Sequence, residues 1–469
     1  MPEVHDGNFA FLKILNKSLY EKLRSAEMYS RIDFNRCCQD CRSALEILIN
    51  SLLDKYGLTN KYGKYELVKK VEKLQSEEVL RSIGFLGADE SIEDKYILPP
   101  LGDVNFERED KTKSTMDYWD YMRRYGNRGA HTEARPSDPR KTYRNSVKCL
   151  KGFYLALKRY YKSQISASLG DFDEYAMPIA EYNVYESYVP SDSVRSKCQR
   201  EFLAYTKDEN GDRGFYAILR LYNKQDADDT FMLRNQKAFT EAAKMSLSSV
   251  PDGMTRLREL VPKDSENSTF YIISYIFNQE PHPLNDSILA SMEFPQRIRL
   301  CCRIINCLEN LHNSPIPIFH RMLNYECIYV CQIRNEWIPY IIKFDYAKIV
   351  SDAPVGTVYA DAVKAKEKLR EIKLNKYLPP EWDNITQNAG DKEWSKVDIY
   401  SLGILCSDII KGKIENQIVP IDELEEMDLS DELLDTLDIM RAEDPNERWG
   451  IDDIKDIFDE EYRRVKKSR

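Results

Sequence analysis

The sequence predicts an α+β chain: an all-α bundle over residues 8–165, a linker over 166–180, and a two-lobed segment over 181–465. The first lobe, about 181–277, is strand-rich, and the second, about 278–465, is helical. Three observations carry this reading. Apolar residues recur every three or four positions before residue 165; short apolar runs punctuated by turn residues follow; helical spacing returns from Pro295 onward.

In 34–53, Cys37, Cys41, Ala44, Leu45, Leu48, Ile49 and Leu52 share one helical face, and in 142–161 Val147, Leu150, Tyr154, Leu157 and Tyr161 do the same. Between them, 64–74 predicts a shorter helix, 82–108 carries the Gly and Pro of a loop, and 116–124 predicts a helix closed by Gly126 and Gly129. The stretch SASLGDFDEYAMP at 166–178 is polar and acidic, as a linker would be. Strand-like runs at 201–206 and 215–222 flank Asp208-Glu209-Asn210-Gly211, and Asn-Gly between two such runs signals a hairpin. A helix is expected over 230–247 and a buried strand over 269–277 (TFYIISYIF). Ile298, Cys301, Cys302, Ile305, Leu308 and Leu311 then line one face of a long helix.

Composition narrows the function classes. A length of 469 residues allows two or three domains, and 42% apolar with 31% charged residues fits globular protein rather than long disorder. No apolar run reaches the roughly 18 residues of a membrane span, and the start lacks the basic, apolar and small-residue blocks of a secretory leader. The net charge of −10 weakens any case for broad nucleic-acid binding, while a local basic groove stays open. Eleven cysteines, an odd number set in apolar segments, argue against a disulfide scaffold. Cys38 and Cys41 have the spacing of half a zinc site, but no second pair accompanies them, so core packing is the reading. A cytoplasmic protein without membrane attachment is expected.

The first chemical motif is Arg123-Arg124-Tyr125-Gly126-Asn127-Arg128-Gly129-Ala130-His131, at the expected helix break. It resembles the HEPN family, small helical bundles whose Arg-x(4–6)-His motif forms a metal-independent ribonuclease site at a dimer interface. Arg123, Gly126, Asn127 and His131 match the Arg-x-x-Gly-Asn-x-x-x-His of a branch of unassigned function, and Arg124 lies at the nuclease spacing from His131. The resemblance covers about 8–165. It implies a homodimer through the bundle and makes Arg124, Asn127 and His131 candidate ribonuclease residues acting on RNA. A histidine titrating near neutrality can move the 2′-hydroxyl proton while an arginine grips phosphate oxygens. The plainer alternative is that Asn127 and His131 secure a helix end.

The second motif set lies in 311–448. His320-Arg321-Met322 followed by Cys327, then Asp345-Tyr346-Ala347, Pro380-Glu381, Asp398 and Arg448 resemble, in order and spacing, the catalytic loop, D-F-G, A-P-E and later helices of protein kinases. The resemblance implies a bilobal protein-kinase-like fold over 181–465. It also implies an ion pair between Glu381 and Arg448, and a brace from Asp398 to the catalytic-loop backbone.

The catalytic parts depart from the pattern. Met322 stands where the loop's aspartate would position the attacking hydroxyl, and Cys327 replaces its metal-binding asparagine. No glycine occurs between Tyr182 and Thr206, where a Gly-rich loop would let backbone amides approach phosphates. In Tyr216-Ala217-Ile218-Leu219-Arg220, either Leu219 or Arg220 takes the lysine position, and Glu241 is the candidate helix glutamate to pair with Arg220. By resemblance the cofactors would be ATP and Mg, with Arg220, Glu241 and Asp345 in the nucleotide cleft and Asp345 as a magnesium ligand. The departures point to a pseudokinase that senses or regulates, with its output through the bundle or a protein partner, as in defence and stress-response architectures. A divergent ATP-dependent kinase and a regulated HEPN ribonuclease stay open as alternatives. The charged stretch 362–373 is either a helix over the cleft or an ordinary surface helix.

Overall fold

A computed structural model describes residues 7–74, 139–161, 163–165, 169–190, 198–208, 210–224, 255–262, 268–314, 317–349, 373–383 and 391–467. The elements expected at 82–108, 116–124 and 230–247, and nearly all of the stretch 362–373, lie outside the described residues. The chain divides into two compact units: Met1–Ser187 with Phe202–Asp212 and Lys263–Phe270, and Tyr188–Glu201 with Arg213–Pro262 and Tyr271–Arg469.

The first unit is built on α1 (Leu12–Leu15), α2 (Lys17–Tyr29), α3 (Phe34–Lys55), α4 (Thr59–Tyr62), α5 (Leu67–Leu74) and α6 (Pro139–Tyr160). Side chains fix where the helices start. Asn16 accepts from Leu19 N to cap α2, and Asp33 accepts from Arg36 N to cap α3, each at 3.1 Å. The three-and-four spacing then buries one face: Leu19, Leu23 and Ala26 of α2 meet Cys41, Leu45, Leu48 and Leu52 of α3 and Leu150, Phe153 and Leu157 of α6. The described part of the expected linker bonds to the rest of the unit. Gly170 O accepts from Tyr154 Oη at 2.5 Å and Lys158 Nζ at 2.6 Å, and Glu174 O accepts from Arg31 Nη2 at 2.6 Å.

A five-stranded sheet has the order β1-β2-β3-β5-β4, formed by β1 (Asn183–Tyr188), β2 (Cys198–Lys207), β3 (Arg213–Asn223), β4 (Arg256–Val261) and β5 (Phe270–Phe277). The turn between β2 and β3 forms at the expected Asn-Gly, with Gly211 at φ +86° and Asp208 Oδ1 accepting from Asn210 N and Asp212 N at 2.9 Å. β5 pairs antiparallel with β4, Arg256 opposite Ile276 and Val261 opposite Ile272.

Beyond the sheet come β6 (His282–Pro283), α7 (Asp286–Ala290), α8 (Phe294–His312), β7 (Ile318–Phe319), β8 (Ile328–Ile333), β9 (Glu336–Ile341) and β10 (Lys348–Ile349). A capping box between Glu293 and Gln296, with Pro295 in the first turn, opens α8, and its expected apolar face is buried. The helices α9 (Asp391–Lys411), α10 (Ile421–Glu425), α11 (Asp431–Met440) and α12 (Ile451–Lys467) complete the second unit. Residues 397–410 of α9 are buried on every side, the polar Asp398, Ser401, Ser407 and Asp408 among them. All eleven cysteines are buried and none forms a disulfide, consistent with core packing. Among the described residues no helix is long and apolar enough to cross a membrane.

Candidate functional site

The site is built on the loop between β7 and β8, and that loop is held by one carboxylate. Asp398, fully buried in α9, accepts from His320 N at 2.8 Å and Arg321 N at 2.6 Å, and lies 2.9 Å from His312 Nε2. Those bonds hold Arg321 in the left-handed region, at φ +64°. His320 Nε2 lies 2.9 Å from Ile342 O, so that nitrogen carries the proton. Burial pushes the imidazole below its ordinary range, despite the nearby Asp398 charge. A second anchor joins Glu381 to Arg448 through paired bonds of 2.5 and 2.9 Å, and Arg448 also donates to Ala442 O and Lys396 O.

Inside this frame the loop bonds to itself. Met322 is buried against Leu378 and Trp382. Asn324 Nδ2 donates to Met322 O at 2.7 Å and to Cys327 Sγ at 3.3 Å, while its Oδ1 accepts from Glu326 N at 2.9 Å. The Cys327 thiol turns to Met322 O at 3.5 Å. The Asn324 side chain and the Cys327 thiol therefore serve loop closure.

Beside the loop lies a buried charged centre. Arg220, fully buried on β3, bonds Asp345 through Nη1 and places Nε 3.1 Å from Glu201 Oε1 on β2. Tyr222 Oη donates to the other oxygen of Asp345. Lys343 Nζ lies 3.1 Å from the same Glu201 oxygen and 3.8 Å from Glu326. The second oxygen of Glu201 accepts from Tyr188 Oη at 2.8 Å and Tyr329 Oη at 3.4 Å, and the two phenols bond each other. Burial, reinforced by the Glu201 charge, raises both phenols above the ordinary tyrosine range. Lys343 adopts φ +66°, and Tyr275 Oη accepts from its amide at 3.1 Å and from Phe344 N at 3.4 Å.

Of the residues singled out from sequence, Arg220 and Asp345 are brought together. Arg124, Asn127, His131 and Glu241 lie outside the described residues. The partners that sequence reasoning missed are Glu201, Lys343, Tyr222 and Asn324. Their signal was faint: a charge opening the apolar run Glu201-Phe202-Leu203-Ala204-Tyr205, and another inside Ile341-Ile342-Lys343-Phe344.

The centre does not fit magnesium. Asp345 is 1% exposed with both oxygens bonded, and Cys327 offers a soft thiol to a cation that prefers oxygen. Among the described residues no group of three or more His, Cys, Asp or Glu is arranged to hold a metal ion.

No protein-family model and no curated protein matches this chain. Among solved structures it is similar to the kinase domain of Mycobacterium tuberculosis PknI, solved as a double mutant. That match has 13% identity and a TM-score of 0.40, over 61% of this chain and 98% of that one. It is also similar to the Rad53 kinase domain with SCD2, at 16% identity and a TM-score of 0.38, over 55% of this chain and 85% of that one.

Proposed function

We propose that the second unit is a kinase-like module that does not transfer phosphate and serves as a sensor or regulator, with the helical bundle as its output. The kinase-like reading rests on Asp398 bracing the His320–Arg321 backbone and on the Glu381–Arg448 pair, both where the motif order requires them. The single observation that carries the non-catalytic reading is the Arg220–Asp345 bond. In phosphoryl transfer the basic side chain grips phosphates and the aspartate holds metal. Here each neutralises the other, and Met322 supplies no base.

The test is a thermal-shift titration of the full chain with ATP, with and without magnesium, alongside a phosphate-release assay. The reading expects no magnesium-dependent stabilisation and no release. A metal-dependent rise of several degrees with turnover overturns it in favour of a divergent kinase.

A further inference from the structure

The first unit contains a second buried charge that the charged centre does not involve. Glu27 on α2 is fully buried, and its Oε1 accepts from Asn8 N at 3.0 Å and Asn8 Nδ2 at 2.8 Å. The same Asn8 side chain reaches across to Asp173. Its Nδ2 donates to Asp173 O at 2.9 Å, and its Oδ1 accepts from Asp173 N at 2.7 Å. One asparagine thus closes a two-bond ring with the backbone at 173 while resting on the Glu27 carboxyl. Glu27 Oε2 is buried without a hydrogen-bond partner. Gly7, left-handed at φ +81°, passes so close to Oε2 that a Cβ there would collide with it.

We propose that Asn8, Glu27 and Asp173 form a proton-operated latch, closed on the 170–175 segment when the Glu27 carboxyl is neutral and loosened when it ionises. A buried carboxylate with one unbonded oxygen is costly, and opening returns it to water. The two arginines near it bond other groups, although Arg31 Nη1 is itself buried without a hydrogen-bond partner. Arg24 Nη2 donates to Asn183 Oδ1 at 2.7 Å, and Arg31 Nη2 to Glu174 O at 2.6 Å with its guanidinium over the Tyr143 and Phe202 rings. The Asp173 carboxylate accepts from Tyr175 N, and that of Glu174 from Tyr143 Oη. Burial outweighs the Asn8 bonds and the two arginine charges and raises Glu27 to about 7, so the latch responds near neutrality.

The Asp173 amide reports the latch directly, because its hydrogen is bonded by Asn8 Oδ1. Amide hydrogen exchange on the full chain at pH 6 and pH 8, corrected for intrinsic chemistry, should show its opening rise roughly tenfold relative to an α3 reference peptide. Glu27→Gln and Glu27→Met, either of which suffices if the other fails to fold, should abolish that pH response. Asn8→Ala should speed exchange at Asp173 at both pH values. A flat wild-type ratio, a pH response that persists without the Glu27 carboxyl, or unchanged exchange in Asn8→Ala overturns the latch.

Discussion

Arg220 and Asp345, 125 residues apart in the chain, form an ion pair in which both side chains are buried. The pair is held from two sides, since Glu201 lies 3.1 Å from the arginine Nε and Tyr222 donates to the second carboxylate oxygen. Removing one member leaves the other charged and buried. Arg220→Met or Asp345→Leu alone should cost about 3–5 kcal/mol. The double variant should cost clearly less than the sum, because neither charge is then orphaned. Urea unfolding of the four proteins measures the coupling, and additive losses would show that the pair does not act as a unit.

On the proposed non-catalytic reading, an aspartate at position 322 should not produce phosphate transfer. Met322→Asp places a charge against Leu378 and Trp382, in a loop whose Asn324 and Cys327 side chains already bond its own backbone. The Arg220–Asp345 pair is untouched by the change. The expected outcome is lower stability and no ADP formation above background in a coupled assay with magnesium. Sustained turnover by this variant would mean that the base was the one missing part.

Asp398 satisfies two backbone amides where no water reaches. Asp398→Ala leaves the His320 and Arg321 amides without acceptors, each orphan costing about 1–3 kcal/mol. Asp398→Asn keeps one acceptor oxygen and should lose roughly half as much. Calorimetric melting of the full chain distinguishes the two; equal small losses would show that the loop holds its shape without this carboxylate.

These residues show what sequence reading reaches. Helix periodicity over α3 and the Asn-Gly turn are local signals, and both appear in the structure because a helix face or a short turn needs only near neighbours. Arg220 and Asp345 were visible because motif order placed them. Glu201 and Lys343 were not. A charge at the head of an apolar strand reads as an edge residue until a distant segment supplies its partner, and the left-handed backbone at Lys343 is set by tertiary bonds to Tyr275. Asn324 was passed over because its work is local closure of a loop whose named positions drew attention to Met322 and Cys327.

His320 and Glu27 should give stability opposing pH dependences. Burial keeps the His320 imidazole neutral below the range where an unfolded histidine, near pH 6.5, takes up its proton. The unfolded chain then binds more protons than the native one. The His320 contribution is therefore fully present above about pH 6.5 and lost as pH falls below it. Glu27 runs the other way. Its native carboxyl keeps a proton up to about 7 against 4.5 when unfolded, so its contribution is full below about pH 4.5 and lost as pH rises through 7. Wild-type stability between pH 5 and 7 mixes both slopes, and single substitutions separate them. The wild-type minus His320→Gln difference should shrink as pH falls from 7.5 to 5.5, whereas the wild-type minus Glu27→Gln difference should grow over the same range. Denaturant unfolding at four pH values measures both, and a flat His320 difference would mean that its ring protonates equally in the two states.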